Sequence, residues 1–189
     1  MARPYLYTEE QVVNAAMDLV REKGTSGLTS RALGAKLGTS SRPVFTRFKD
    51  MAAVWVAVTE GANALYQSYR QEELAGGKYP PYKASGMAYI RFAREEKELF
   101  RLLFMRDRSQ EEKRNAEEAD ELVALIGKQL GLGEADARRF YLEMWVYVHG
   151  IAAMIATNYL DWDEASASRA VTDVYEGLKR QFTEAARTE

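Results

Sequence analysis

Cysteine is absent from the 189 residues, and histidine occurs once, at His149. Without cysteine there is no disulfide framework, no thiolate zinc site and no thiol nucleophile. A single imidazole cannot build a histidine metal cluster, and neither a phosphate-binding glycine loop nor a serine-centred nucleophile elbow is written in the chain. No catalytic residues are visible, so an enzyme is not expected, and neither a metal nor a cofactor is called for. Long apolar runs are missing too. The richest stretch, 140 to 156, is interrupted by Glu143, His149 and Gly150, and the opening MARPYLYTEE lacks the apolar region of a signal peptide. No membrane span is expected, and a cytoplasmic location fits.

What is present is ordinary for a globular chain, with 47% hydrophobic and 29% charged residues. The formal net charge of −2 hides an uneven distribution. Residues 1 to 56 hold 8 Lys and Arg against 5 Asp and Glu, and the remainder 18 against 23. A basic first quarter on an acidic body suggests a small module that meets a polyanion. Apolar residues recur at three- and four-residue spacing almost throughout and never alternate with period two, so the expected fold is all-α.

The first helix is expected from Thr8, which with Gln11 forms a capping box, and its buried stripe from Val12, Val13, Ala16, Leu19 and Val20. Lys23 and Gly24 end it. Thr29 is placed to cap a short helix over 30 to 37, closed by Gly38. A further short helix is expected from Ser40 or Ser41 to about Phe48 or Lys49, with Pro43 in its first turn. The pair reads as a helix-turn-helix. Leu33, Leu37, Val44 and Phe48 form its apolar seam, and Gly34 leaves room where the two helices approach. Ser41, Arg42, Thr46, Arg47 and Lys49 lie on the other face, a surface suited to a DNA major groove. Spacing alone also fits a plain surface helix with solvated charges.

The segment GTSGLTSRALGAKLGTSSRPVFTRFKDMAAVW, preceded by VVNAAMDLVREK, resembles the N-terminal DNA-binding domain of the TetR family of bacterial transcriptional regulators over about residues 8 to 56. The resemblance implies that Thr29 and Arg31 touch the DNA backbone. It also implies that Ser40, Ser41, Arg42, Pro43, Phe45, Thr46, Arg47 and Lys49 lie on or beside the groove-facing side. Two positions depart from the family. Phe45 stands where a phosphate-bonding tyrosine is usual, and Met51 where a lysine is frequent, with Lys49 as the candidate replacement. The expected organisation is a DNA-binding domain over 1–52, a connecting fourth helix over about 51–74, and a helical effector-binding and dimerisation domain over 75–189.

The break AGGKYPP (75 to 81) cannot continue a helix. Beyond it, helices are expected at about 82 to 95, 97 to 106, 110 to 131, 134 to 159 and 163 to 187. The carboxylate-rich run 111 to 121 reads as a solvated helix face, with Leu122, Leu125, Ile126 and Leu130 turned inward. WVYVHG (145 to 150) and YIRFAREEKELFRLLF (89 to 104) resemble one C-terminal type within the same family, implying a helical bundle whose last two long helices pair with a second subunit. Ala167, Ala170, Val171, Val174, Tyr175, Leu178 and Phe182 form the stripe on the last helix, and the helix before it is apolar nearly all round. One monomeric core is the alternative. Tyr89, Phe92, Phe100, Phe104, Met144, Trp145, Tyr147, His149 and Met154 are candidate effector contacts, or equally a plain core. The function expected is a ligand-responsive regulator, a repressor that binds a palindromic operator in double-stranded DNA as a homodimer and is released by a small apolar effector. A helical adaptor without sequence-specific DNA binding is the alternative.

Overall fold

The computed structural model describes residues 7–107 and 116–185. These form eight α-helices with no strand among the described residues: α1 Glu9–Lys23, α2 Ser30–Lys36, α3 Met51–Gly76, α4 Pro81–Glu95, α5 Lys97–Phe104, α6 Ala116–Leu130, α7 Glu134–Ala156 and α8 Glu164–Ala185. Single 3-10 turns occupy Thr25–Gly27 and Val44–Thr46. The all-α expectation holds. No helix among the described residues is long and apolar enough to cross a membrane. Residues 110–115 and 186–187 of the expected helices lie outside the described residues, as does the first part of the carboxylate-rich run.

The chain divides into two compact units, one comprising residues through Ser68 together with Glu96–Arg106, the other Tyr69–Glu95 with the residues from Asp107 on. In the first, local chemistry sets the helix ends. Thr8 Oγ1 accepts from the Gln11 amide at 3.1 Å while Gln11 Oε1 accepts from the Thr8 amide at 2.9 Å, the reciprocal capping box read in the sequence. Gly24 closes α1 at φ 68°, a backbone angle that favours glycine, and its amide returns to the Val20 carbonyl at 2.8 Å. Val12, Ala16, Leu19 and Val20 are buried as expected; Met17 joins them and Val13 is half-buried.

Along α3 the buried positions are Val54, Val58, Ala62 and Tyr66. Gly61, Leu65 and Tyr69, which border that stripe, are half-buried. Gly61 still faces α1 closely: a methyl group there would lie 3.0 Å from Met17 Sδ and 3.1 Å from Val13 Cγ1. α5 also packs on α1. Glu96, at its N-cap, receives Arg21 Nε at 2.8 Å and Arg21 Nη2 at 3.0 Å. This two-pronged bond to Glu96 holds the guanidinium pKa above its ordinary value. The Phe100 and Phe104 rings lie tilted at 46° with centres 5.2 Å apart, and Tyr66 meets Phe104 edge-on at 5.4 Å.

The second unit is held by volume. α4 and α7 run against each other closely enough that a methyl group at Gly86 would touch Val148 at 3.5 Å. Tyr82 of α4, Phe140 of α7 and Tyr175 and Phe182 of α8 form one aromatic cluster with ring centres 5.5 to 6.3 Å apart. Burial pushes the Tyr82 phenol pKa well above its usual value. On α6, Val123 and Ile126 are the buried residues, whereas Leu122, Leu125 and Leu130 are half-buried at its flanks.

Candidate nucleic-acid interface and effector region

The segment from Ser40 to Lys49 does not form the expected α-helix. Only Val44–Thr46 is regular, as one 3-10 turn. Its amide bonds run three residues back, from Val44 to Ser41, Thr46 to Pro43 and Arg47 to Val44, at 3.0 to 3.2 Å, and only the Phe48 amide reaches four back to Val44. Competing bonds account for this. Thr46 Oγ1 donates to the Pro43 carbonyl at 2.6 Å, taking an acceptor that a helix would use further on. Arg47 Nε donates to the Tyr7 carbonyl at 2.8 Å, drawing the end of the segment toward the start of α1. Ser40 caps no helix; its backbone lies against Gly34.

That approach is tight. A Cβ at Gly34 would sit 2.6 Å from the Ser40 carbonyl carbon and 2.7 Å from the Ser41 nitrogen. Leu33 and Val44 are fully buried beside it, Phe48 is nearly so, and Leu37 is half-buried, so the expected seam exists with a turn in place of a helix. Thr29 Oγ1 caps α2 by accepting from the Ala32 amide at 3.2 Å. Thr29, Arg31, Ser40, Arg42, Thr46 and Lys49 are exposed, and Phe45 is 41% exposed. Ser41, Pro43 and Arg47 are half-buried, and Arg47 differs from the other cations in being tied to backbone. Lys36 pairs with Glu22.

In the second unit the candidate effector residues fall into distinct settings. Phe92 and Met144 are core, and Phe92 meets Tyr69 edge-on at 5.4 Å. Tyr89 Oη lies 2.8 Å from His149 Nδ1, and the Trp145 ring stacks on the imidazole at 5.1 Å with 13° between planes. Burial holds the His149 pKa below its ordinary value. Tyr147 is half-buried, and Trp145 and Met154 are exposed. Phe100 and Phe104 belong to the first unit, where Phe104 meets both Phe100 and Tyr66. Three side chains therefore come together: Tyr89, His149 and Trp145.

Of the stripe expected on α8 for a second subunit, one part is turned into this chain. Ala167, Val171 and Phe182 are buried within this chain, and Tyr175 packs on Phe140 and Tyr82. The physical reason is that α4 and α7 already cover that face. Ala170, Val174 and Leu178 remain half-buried at its edges. An uncovered apolar strip lies on α7, where Leu142 and Val146 are 52% and 63% exposed beside Trp145. Sequence reasoning missed Leu142 and Val146, although positions 142, 145, 146 and 149 share one helical face.

The family model described as tetracyclin repressor-like, C-terminal domain, matches residues 82–176. No curated protein matches the chain. A solved structure of a protein of unknown function from Rhodococcus sp. RHA1 is similar over 96% of this chain and 99% of its own, at 21% identity and a TM-score of 0.71. A TetR-like transcriptional regulator from the same organism is similar over 95% of this chain and 97% of its own, at 16% identity and a TM-score of 0.66. The multidrug binding protein EbrR, complexed with imidazole, is similar over 90% of this chain and 95% of its own, at 17% identity and a TM-score of 0.58. At these identities the structural likeness establishes the fold.

Proposed function

Because this chain belongs to the tetracyclin repressor-like family, whose C-terminal domain model spans half of it, we propose that it is a ligand-responsive transcriptional regulator, not an enzyme, and that it represses from a palindromic DNA operator as a homodimer. The observation that carries the reading is the exposed row of Arg42, Phe45, Thr46 and Lys49 on a turn seated through the buried Val44 beside Gly34 and Leu33. A cationic, hydroxyl-bearing surface on a rigid support can bond base edges and phosphates at little ordering cost. Arg42 and Thr46 then read bases, Phe45 packs against sugar or a thymine methyl, and Lys49, Thr29 and Arg31 meet the backbone.

The homodimer covers the apolar strip of Leu142, Trp145 and Val146 on α7, flanked by Ala170, Val174 and Leu178 of α8. Twofold symmetry makes such a strip its own complement. Two reading segments one helical turn apart then meet a palindromic site. The effector is a small, mostly apolar molecule taken up by the second unit, with the Tyr89–His149 pair as its polar handle. One structural relative is described as multidrug binding, which supports a small organic molecule.

Coupling runs through α3, a continuous helix whose residues through Ser68 belong to the first unit and from Tyr69 to the second. Arg70 on α3 bonds Glu121 of α6 at 3.0 Å and approaches Glu118 at 3.6 Å. Arg91 of α4 bonds Glu72 at 3.1 Å and lies over the Tyr69 ring at 4.7 Å. An effector that displaces α4 or α6 drags α3 through these pairs and changes the spacing of the two reading segments. Such a ligand acts only through different affinity for the two states, and a coupling of about 1–3 kcal/mol weakens DNA binding several-fold to about a hundredfold.

The test is selection of the purified protein on a random duplex library, followed by titration of the winner at two salt concentrations. An enriched palindrome with steep salt dependence supports the reading. Absence of any enriched sequence, with affinity insensitive to salt, supports the helical adaptor instead.

A further inference from the structure

The DNA-facing segment has few internal bonds of its own. A three-residue 3-10 turn is short and its hydrogen bonds are poorly aligned, so contacts from elsewhere must fix its position. Leu33, Val44 and Gly34 fix its depth, but an apolar seat leaves sliding and rotation open. Directional bonds close those freedoms, and Tyr7 supplies two of them. Its hydroxyl donates to the Leu37 carbonyl at 2.5 Å, where α2 ends, and its own carbonyl accepts from Arg47 Nε at 2.8 Å, just after the 3-10 turn.

One residue therefore grips both ends of the stretch from 37 to 47. Tyr7 is itself anchored by the residue next to it, because Thr8 is the N-cap of α1 and is locked by the reciprocal bonds with Gln11. The path of constraint runs from the α1 capping box through Tyr7 to the reading turn. Arg47 is then partly engaged in holding the turn, since an Nε bond to a carbonyl fixes the guanidinium plane in a way that a lysine cannot reproduce.

We propose that Tyr7 is the positioning residue of the DNA-reading turn, acting through Leu37 and Arg47, and that Arg47 contributes to specificity by this brace in place of reading a base. The inference rests on the proposed function as a DNA-binding regulator. It concerns register: base-edge contacts are lost when the turn shifts, whereas phosphate contacts on a uniform backbone tolerate the same shift.

The experiment compares Tyr7→Phe and Arg47→Lys with the unaltered protein, on the duplex recovered from the random library and on a random duplex of equal length. Tyr7→Phe deletes one hydroxyl, and Arg47→Lys keeps the charge while removing the Nε donor. Each variant is expected to lower the operator-to-random affinity ratio roughly three- to tenfold, with the salt slope and melting temperature unchanged. A ratio unchanged in Arg47→Lys identifies a phosphate contact and overturns the brace. Equal losses on both duplexes in Tyr7→Phe, or an unchanged ratio, overturn it as well. If the unaltered protein enriches no palindrome, the regulator reading itself fails, a result separate from any behaviour of the variants.

Discussion

The two units of this chain hold their candidate functional groups in opposite ways. In the first, the exposed turn is placed by backbone: Gly34 against the Ser40–Ser41 peptide, the Thr29 cap, and the Tyr7 carbonyl and hydroxyl. In the second, the Tyr89–His149–Trp145 group sits among long helices whose positions are set by side-chain volume, chiefly the cluster of Tyr82, Phe140, Tyr175 and Phe182. Backbone contacts hold one geometry and punish any added atom. Cores filled by volume tolerate exchange of similar side chains and adapt their shape. A rigid surface joined to a more plastic unit suits the regulator proposed above, which would recognise one DNA site and respond to a diffusible ligand.

The contrast breaks most sharply under two substitutions. Phe140→Ala removes the ring at the centre of the aromatic cluster and should destabilise the second unit by about 3–5 kcal/mol, with the first unit's transition unmoved in a calorimetric scan. A single transition that shifts as a whole would show that the units melt together and dissolve the distinction. Gly34→Val should destabilise the first unit by about 3 kcal/mol and abolish operator binding, because the contacting atoms are backbone and cannot step aside. Native affinity in that variant would mean that the seat yields after all.

Smaller changes sharpen the comparison. Arg42→Ala should cost on the order of 1–3 kcal/mol on the operator and little on random duplex, as expected of a base-reading group. Lys49→Ala should weaken both duplexes alike and reduce the salt slope by about one. Identical behaviour of the two variants in a salt titration would remove the division between reading and anchoring. The smallest effect belongs to His149. Its folded-state pKa lies below the ordinary 6.5, so the unfolded chain binds the proton more readily. The stabilising contribution of the neutral imidazole is fully present above about 6.5 and is lost as pH falls through the depressed value. His149→Gln should therefore flatten the fall in melting temperature between pH 7 and pH 5; an unchanged profile would place the titration elsewhere.

Features decided within a few residues were legible in the sequence. The Thr8–Gln11 box, the Thr29 cap, the turn at Gly24 and the closeness at Gly34 each follow from the chemistry of one or two side chains. The form of the reading segment was not, because its local pattern is helical and the bonds that reshape it come from Pro43, Thr46 and the distant Tyr7. The α8 stripe was legible only in part, for another reason. Periodicity reports that a face is buried, not against what, and Val171, Tyr175 and Phe182 are covered by their own chain. Neither did any local signal assign α5 to the first unit; that grouping depends on Arg21 meeting Glu96 across 75 residues of sequence.

The split make-up of the first unit has a consequence for how the protein is born. Its opening segment ends at Ser68, yet α1 needs Glu96, and Tyr66 needs Phe104, before their surfaces are covered. Translation proceeds at roughly 5–20 residues per second, so the segment from 69 to 106 imposes a wait on the order of 2–8 s. During that interval the nascent chain displays an apolar flank of α1 and α3 that a complete first unit conceals. A fragment cut at Ser68 lacks Glu96 and Phe104 and leaves that flank uncovered.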